Sequence, residues 1–299
     1  MIAYTPSSES GGAGLAIMLL LLVFAGLVFV VHLSKRGRTR TFDSRLNRKR
    51  GKRLDQMLAG REGDRLSDWQ RRVIADNIGL YDWVPEELRG PWEERILVFL
   101  ESFPFTDMED GPVSEEKRLL VAAEACLLIV RRRMSDYRHL QRIHLWKDKI
   151  TGMENALGTA TQFEVNLSWS YLKKSIGKAR DGHNLTLHEF AHLIDFADDG
   201  IAQSIPVSPS SPAVKEWEAM VEEEHKRLMK VYGSGKNYSI RAYGGYESIK
   251  GDKPELFSCG TSAFFERSAR LKRECPKVYQ ALNEFYGVDP ATWRQQKTD

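Results

Sequence analysis

The stretch LTLHEFAHLIDFA, residues 185–197, decides the fold and the chemistry expected of this chain. It contains two histidines four residues apart, His188 and His192, and Glu189 directly follows the first. On a helix, residues four apart share one face, so both imidazoles reach one metal ion and the glutamate lies beside a water bound there. The flanking residues are apolar, and polar groups inside such a helix are costly unless something satisfies them. The sequence therefore predicts a largely buried helix that holds one catalytic zinc ion.

A catalytic zinc ion needs a third protein ligand and an open position for water. The HExxHxxGxxH arrangement is absent, because position 198 is aspartate rather than histidine. We therefore expect a carboxylate from a later helix, and the candidates are Glu247, Glu255 and Glu266. Glu255 is preferred because Pro254 marks a helix start. Glu266 lies eleven residues further on and on nearly the same helix face, so spacing alone leaves both open.

The rest of the chain mixes helical and strand patterns, which indicates an α+β fold with a small sheet. Residues 54–80 are helical in pattern, and a clear amphipathic helix follows Ser114. The segment RIHLW at 142–146 predicts one strand. The segment 163–169 alternates between apolar and polar residues and predicts another. This second strand is either an edge strand that pairs with a substrate backbone or a packed interior strand.

The N-terminal residues predict a membrane anchor. Residues 13–33 are 21 residues long and contain one polar side chain, which is long enough to cross a bilayer as a helix. Residues 34–53 hold ten basic residues and one acidic residue, and such a segment stays in the cytosol and attracts anionic lipid. We therefore expect a short leader at 1–12, a transmembrane helix at 13–33, a basic linker at 34–53 and a cytosolic domain at 54–299. The predicted location is the inner membrane, single-pass, with the N-terminus outside.

Charge also limits the partners. The net charge of the whole chain is +3, but residues 54–299 taken alone carry −5. An acidic surface opposes phosphate binding, so nucleic acid is not an expected partner. The three cysteines form no CxxC pair, which excludes a disulfide framework and fits a reducing compartment. Near the histidine motif, Asp195 is either a residue that orients a ligand or an ordinary helix-end carboxylate.

The sequence resembles the MtfA (Mlc titration factor A) zinc-peptidase family over most of residues 83–293. The segments that carry the resemblance are AAEACLLIV at 122–130, LSW at 167–169, DGHN at 181–184, HEFAHLID at 188–195, PELF at 254–257, FFE at 264–266 and YGVDP at 286–290. HExxH alone is generic, but HEFAHxxD followed by PExF and FFE is specific. Residues 1–53 have no counterpart in the resemblance.

The resemblance implies a lethal-factor-like gluzincin domain with aminopeptidase-type activity on peptide or protein substrates. Matched by position, it makes His188 and His192 zinc ligands, Glu189 the catalytic base and Glu255 the third ligand. It also implies binding to a glucose-responsive transcriptional repressor, Mlc.

The resemblance further implies a tyrosine shortly before the ligand glutamate that stabilises the oxyanion of a tetrahedral intermediate. Tyr246 is the first choice for this role and Tyr243 the second. The main expectation is therefore a membrane-anchored zinc metallopeptidase. The alternative is a membrane-tethered, non-catalytic binding protein that sequesters a transcriptional regulator.

Overall fold

The computed structural model describes residues 45–109, 111–152, 156–178, 180–248 and 251–293, and the side chains of residues 198 and 199 are outside the description. The helices are α1 (45–59), α2 (Asp68–Asn77), α3 (Glu86–Ser102), α4 (Glu115–Leu128), α5 (Trp169–Ile176), α6 (Leu185–Asp199), α7 (Val214–Gly233), α8 (Glu255–Glu266), α9 (Ser268–Glu274) and α10 (Pro276–Tyr286). Short 3₁₀ helices span Tyr81–Trp83, Met134–Tyr137 and Ala242–Gly245. The strands are β1 (Phe105–Asp107), β2 (Arg142–Trp146), β3 (Gly158–Ala160) and β4 (Glu164–Ser168). The predicted α+β class with a small sheet is confirmed.

The sheet has the strand order β1-β2-β4-β3. Strands β1, β2 and β4 run parallel, and β3 runs antiparallel to β4. The alternating strand of the sequence, β4, therefore pairs on both sides and is an interior strand. Its apolar residues Val165 and Leu167 are fully buried, which explains the regular alternation. The strands at the edges are β1 and β3, neither of which the apolar pattern indicated.

The helix α6 packs its apolar face into the core. Asn184 caps it by accepting a hydrogen bond from the backbone N–H of Leu187, and it ends at Gly200, whose φ of 83° lies in the left-handed region. The ring of Phe190 packs against those of Phe99 and Tyr137, with centroids 5.8 and 5.4 Å apart. Because these contacts fix the rotation of the helix, its other face points toward β3 and α8.

The helix α8 begins after Pro254, as the sequence predicts, and packs along α6. Every one of its twelve residues is buried. It also contacts the 3₁₀ helix Ala242–Gly245, which precedes it in the chain. These contacts bring three separate segments of the chain to one place, namely the turn at 241–246, the start of α8 and the middle of α6.

The predicted transmembrane helix at 13–33 lies outside the described residues. Within the described part of the chain, no helix is both long and apolar enough to cross a membrane. The expectation of a single-pass inner-membrane protein is corrected accordingly, and with it the expected binding to membrane lipid. Residues 45–53, which we assigned to a linker, are helical and belong to α1.

The region 54–80 is not one helix. Helix α1 ends at residue 59 and α2 begins after Ser67, whose side chain forms a reciprocal capping box with Gln70. A capping box satisfies the free N–H groups of a new helix start, so it separates the two helices. Chain contacts divide the protein into residues 1–49 and 50–299, and all of the strands lie in the second unit.

Candidate active site

Three donor atoms converge where α6 faces the start of α8. One carboxylate oxygen of Glu255, Oε2, lies 3.1 Å from Nε2 of His188 and 3.2 Å from Nε2 of His192. The two imidazole rings are nearly perpendicular, with centroids 4.9 Å apart. All three side chains are buried. The geometry therefore brings together the two histidines of the motif and one of the three carboxylates that the sequence left open.

Electrostatics favour at two of the three donors the protonation states that a metal site requires. At the third, His192, burial lowers the pKa, but the hydrogen bond to Glu255 and the neighbouring carboxylates together raise it by more. Burial lowers the pKa of His188 to about 4, so its imidazole is neutral at physiological pH. Burial raises the pKa of the Glu255 carboxyl, but hydrogen bonds to both histidines lower it by more, so the net pKa lies well below its ordinary value. Metal ligands must be neutral imidazoles and ionised carboxylates. The pair His188 and Glu255 meets this condition.

Glu189 lies next to the three donor atoms but bonds to none of them. It is buried, and burial raises the pKa of its carboxyl to about 7. A carboxylate whose pKa lies near the working pH both accepts and returns a proton readily. Its surroundings therefore suit a general base.

The other carboxylates named by the sequence lie elsewhere. Glu247 is exposed and pairs with Lys253 at 3.6 Å. Glu266 lies at the far end of α8, where it accepts a hydrogen bond from the backbone N–H of His183 at 3.2 Å. Asp195 is fully buried and accepts hydrogen bonds from three backbone N–H groups of residues 203–205. Its carboxylate thus organises a loop.

The turn before α8 places a tyrosine at the site, but not the one that we preferred. The Tyr243 ring lies 6.2 Å from that of His188 and lines the same cavity. Burial and the nearby Glu255 carboxylate raise the pKa of its phenol to about 12, so it stays protonated. Tyr246 stacks on Tyr243 with centroids 6.2 Å apart and is as exposed as Tyr243, but it is not among the described lining residues. The structure thus brings Tyr243, rather than Tyr246, to the donor atoms.

Three further side chains contact the site, and sequence reasoning missed them. Ser258 Oγ lies 3.2 Å from His192 Nε2, and Cys259 Sγ lies 3.9 Å from His188 Nδ1. Both follow Glu255 by about one helical turn, a spacing that identifies them once α8 and its ligand are known. The third is Arg241, which lies in an irregular loop, so no periodicity pointed to it.

A cavity of about 440 Å³ opens beside the donor atoms. Edge strand β3, helix α6, Arg241 and Tyr243 all line it. Strand β3 reaches this position because of Gly158. A Cβ added there would come 2.5 Å from Glu189 Oε1 and 2.7 Å from Leu185 Cδ1. The volume is typical of a small-ligand or peptide-binding site.

The residues present suit a zinc ion. Two imidazole nitrogens and one carboxylate oxygen are a donor set that catalytic zinc sites use, and the adjoining cavity leaves room for water and substrate. His188, Glu255 and Cys259 also form a group whose donor atoms lie within 4.8 Å of one another. The Cys259 thiol has its pKa raised to about 12 by burial, so it stays protonated and does not supply a thiolate ligand.

Comparison with known proteins gives several relatives. One is named "Uncharacterized protein slr2042", from Synechocystis sp. strain PCC 6803, and is 24% identical over 238 residues, covering 74% of this chain and 84% of the relative. Two are named Mlc titration factor A. That from Edwardsiella ictaluri is 31% identical over 137 residues, 44% of this chain and 48% of the relative. That from Pectobacterium atrosepticum is 27% identical over 157 residues, 48% and 54% of the two chains.

The match to these two titration factors thus spans about half the length of each. A much longer match comes from a protein family. Residues 49–287 match the family described as "Glucose-regulated metallo-peptidase M90". The matched range includes every residue of the site described above. This range is most of the chain, and it supports the family resemblance recognised from HEFAHxxD, PExF and FFE. The chain therefore belongs to the glucose-regulated metallo-peptidase family M90.

Proposed function

We propose that this protein is a zinc-dependent peptidase. The observation that carries the proposal is the convergence of His188 Nε2, His192 Nε2 and one Glu255 oxygen beside Glu189, at the floor of an open cavity. Membership of a metallopeptidase family implies a metal ion, and the donor set favours zinc. The proposed ligands are His188, His192 and Glu255, which hold one catalytic ion.

In this proposal the chain supplies proton transfer and orientation. When bound, zinc would polarise the scissile carbonyl and lower the pKa of a water molecule. Glu189 takes the proton from the attacking water and delivers it to the leaving amine. Its raised pKa suits both steps, because the carboxyl gains and loses a proton near neutral pH. Cys259 contacts Nδ1 of His188, the ring nitrogen that does not face Glu255, and so keeps that ring oriented toward the site.

We assign the oxyanion donor to Tyr243. Its phenol is protonated at all physiological pH values and lies beside His188 and Glu255. A neutral phenol donates a hydrogen bond to the negative oxygen that develops during attack, which lowers the barrier. Tyr246 supports this role indirectly by stacking on the Tyr243 ring.

The peptide backbone of the substrate has an open partner in β3. This strand lies at the sheet edge and lines the cavity, so its outer side can pair with an extended peptide. The family resemblance further suggests aminopeptidase-type cleavage. Comparing hydrolysis of one peptide with a free and with an acetylated N-terminus tests this point, because an aminopeptidase cleaves only the free form.

The central test is the variant Glu189→Gln. It keeps the size of the side chain and removes the base, so we expect bound zinc to remain at one equivalent while kcat for peptide hydrolysis falls at least about 100-fold. The matched control is Glu218→Gln on the exposed side of α7, which should match the wild type in both measurements. Unchanged hydrolysis in Glu189→Gln would rule out the proposed mechanism.

A second candidate function is repressor binding, which the printed names of two relatives suggest. A protein that titrates a repressor needs affinity and not catalysis. Glu189→Gln separates the two functions, since a titration factor keeps its affinity for an Mlc-type repressor when hydrolysis is lost. Absence of a complex between the purified wild-type protein and such a repressor would remove this candidate.

A further inference from the structure

Arg241 places a positive charge in the wall of the cavity. Its Nη1 donates to Nδ1 of His183 at 3.3 Å, and its Nη2 points at the Cys259 sulfur at 3.7 Å. The guanidinium also lies 5.9 Å from the centre of the Tyr243 ring. Its Nε is buried and donates to no acceptor. The side chain is therefore fixed in place while part of its hydrogen-bonding capacity stays unused.

Within the described part of the chain, no carboxylate lies within ion-pair distance of this charge. Among the described residues, no acidic side chain forms an ion pair with Arg241, although arginine in a partly buried position normally has such a partner. Its two polar contacts are neutral groups. Burial and the neighbouring guanidinium lower the pKa of His183, and burial keeps the Cys259 thiol protonated. Of the five N–H donors of the guanidinium, these contacts engage two.

The carboxylates of the cavity are already committed. The described lining residues include two, Glu189 and Glu255. Glu255 is oriented toward the two histidines, and Glu189 is the proposed base. The described lining thus offers Arg241 no further carboxylate, and a substrate carboxylate suits the Arg fork because it accepts two parallel hydrogen bonds.

We propose that Arg241 binds a carboxylate of the substrate and makes the enzyme selective for peptides that carry one close to the scissile bond. The carboxylate is either an acidic side chain or the free C-terminus of a short peptide. This inference rests on the proposed peptidase function, since it assigns the substrate class of the same cavity. Arg241 is then a specificity-determining residue, next to the residues that hold the metal and move the proton.

The test measures binding separately from hydrolysis. Zinc-loaded Glu189→Gln protein is titrated with penta-alanine peptides that have a free N-terminus and an amidated C-terminus and in which each position in turn is Glu or Gln. The unsubstituted peptide is also titrated with a free and with an amidated C-terminus. We expect one position to bind at least about tenfold more tightly as Glu than as Gln, or the free C-terminus to bind tenfold more tightly than the amide. The position that responds identifies the source of the carboxylate.

The second half of the test removes the guanidinium. Adding Arg241→Gln should bring the ratio of the affinities for the carboxylate and the amide form of the peptide close to one. The substitution Arg273→Gln, at an exposed arginine, should leave this ratio unchanged. Should Arg241→Gln fail to fold, Arg241→Lys keeps the charge and loses the fork. We then expect an affinity ratio between that of the protein with Arg241 and a value of one. Equal binding of Glu and Gln peptides at every position and of both C-termini overturns the inference. So does a preference that survives in Arg241→Gln.

Failure of this inference and failure of the proposed function give different results. If wild-type protein hydrolyses neutral and acidic peptides equally, the peptidase assignment stands and the role of Arg241 falls. If wild-type protein hydrolyses none of the peptides but binds the acidic ones selectively through Arg241, the carboxylate site stands and the peptidase assignment falls.

Discussion

Asp195 connects the histidine helix to the third ligand through the backbone. Its carboxylate accepts the N–H groups of Gln203, Ser204 and Ile205 at 2.8–3.0 Å. Ser204 adopts a φ of 63°, which is rare for a residue other than glycine, and its hydroxyl donates to the Lys253 carbonyl. The same hydroxyl accepts the N–H of Phe257 at 2.8 Å. The Ser204 hydroxyl thus binds the backbone on both sides of Glu255, and we call this bridge the clamp. Asp195 holds the clamp in place through its hydrogen bonds to the loop.

We expect Asp195→Ala to weaken both folding and metal binding. The substitution leaves three N–H groups in the loop without their acceptor, and each buried orphan costs about 1–3 kcal/mol. Because the clamp also positions Glu255, zinc affinity should fall together with the free energy of unfolding. Denaturant unfolding and zinc titration measure the two quantities. A normal zinc affinity in a destabilised protein would show that the clamp does not act on Glu255.

Glu124 gives a prediction about pH. Its side chain is completely buried, and burial raises the pKa of its carboxyl to about 8 from an ordinary 4.5, while Asn184 Nδ2 donates to it at 2.6 Å. The folded protein thus keeps a proton that the unfolded chain releases above pH 4.5. By linkage, this carboxyl makes stability fall as pH rises from about 4.5 to about 8.

Glu124→Gln mimics the protonated form and should remove that part of the pH dependence. We expect the drop in Tm between pH 5 and pH 8 to be smaller by several degrees than in the wild type. Glu266 retains a similar dependence in this variant, because burial raises the pKa of its carboxyl also. Thermal unfolding at the two pH values measures the difference, with Glu218→Gln as the control. An equal drop in wild type and Glu124→Gln would contradict the buried-proton account.

At the scale of elements, the distance between β3 and α6 depends on one glycine. In Gly158→Ala the new methyl group would meet the Glu189 carboxylate and Leu185, so either the strand or the carboxylate must shift. We expect kcat/KM to fall at least about tenfold while zinc content is unchanged, because the metal ligands lie on α6 and α8 and not on β3. Gly233→Ala is the control, since nothing lies within 4 Å of its added Cβ. Normal activity in Gly158→Ala would show that β3 adapts freely.

The same elements show where sequence reasoning succeeds. The HExxH spacing placed two ligands and the proposed base on one helix face, and Pro254 marked the start of α8. Both rest on helical periodicity, which operates over a few residues. No sequence pattern indicated β3, because Gly158–Ala160 is short and lacks alternation. Sequence reasoning also ranked Tyr246 above Tyr243, since the direction of a side chain in a 3₁₀ turn depends on tertiary contacts.

At the scale of the whole molecule, the site joins segments that are far apart in the chain. Its proposed ligands lie on α6 and α8, which pack against each other and into the common core. A metal ion that binds only the folded state stabilises it by about 4 kcal/mol at a thousand times its Kd. We therefore expect a chelator to lower Tm by several degrees and excess zinc to restore it.

Two variants test whether this stabilisation comes from the assigned site. In Glu255→Gln the chelator should have little effect on Tm, because a ligand is missing from the start. Glu247→Gln, which changes an exposed carboxylate outside the site, should keep the full wild-type response. A full response in Glu255→Gln would place the stabilising metal elsewhere.

The burial of α8 along its entire length has a consequence for how such a protein can change. A helix with all twelve side chains packed tolerates few substitutions, because each one creates a cavity or a clash. The turn at 241–246 and strand β3, by contrast, combine exposed or half-exposed residues with access to the cavity. Divergence among related enzymes, and laboratory selection for new substrates, should therefore concentrate in the turn and the strand at positions other than Tyr243 and Gly158, while α8 keeps its sequence.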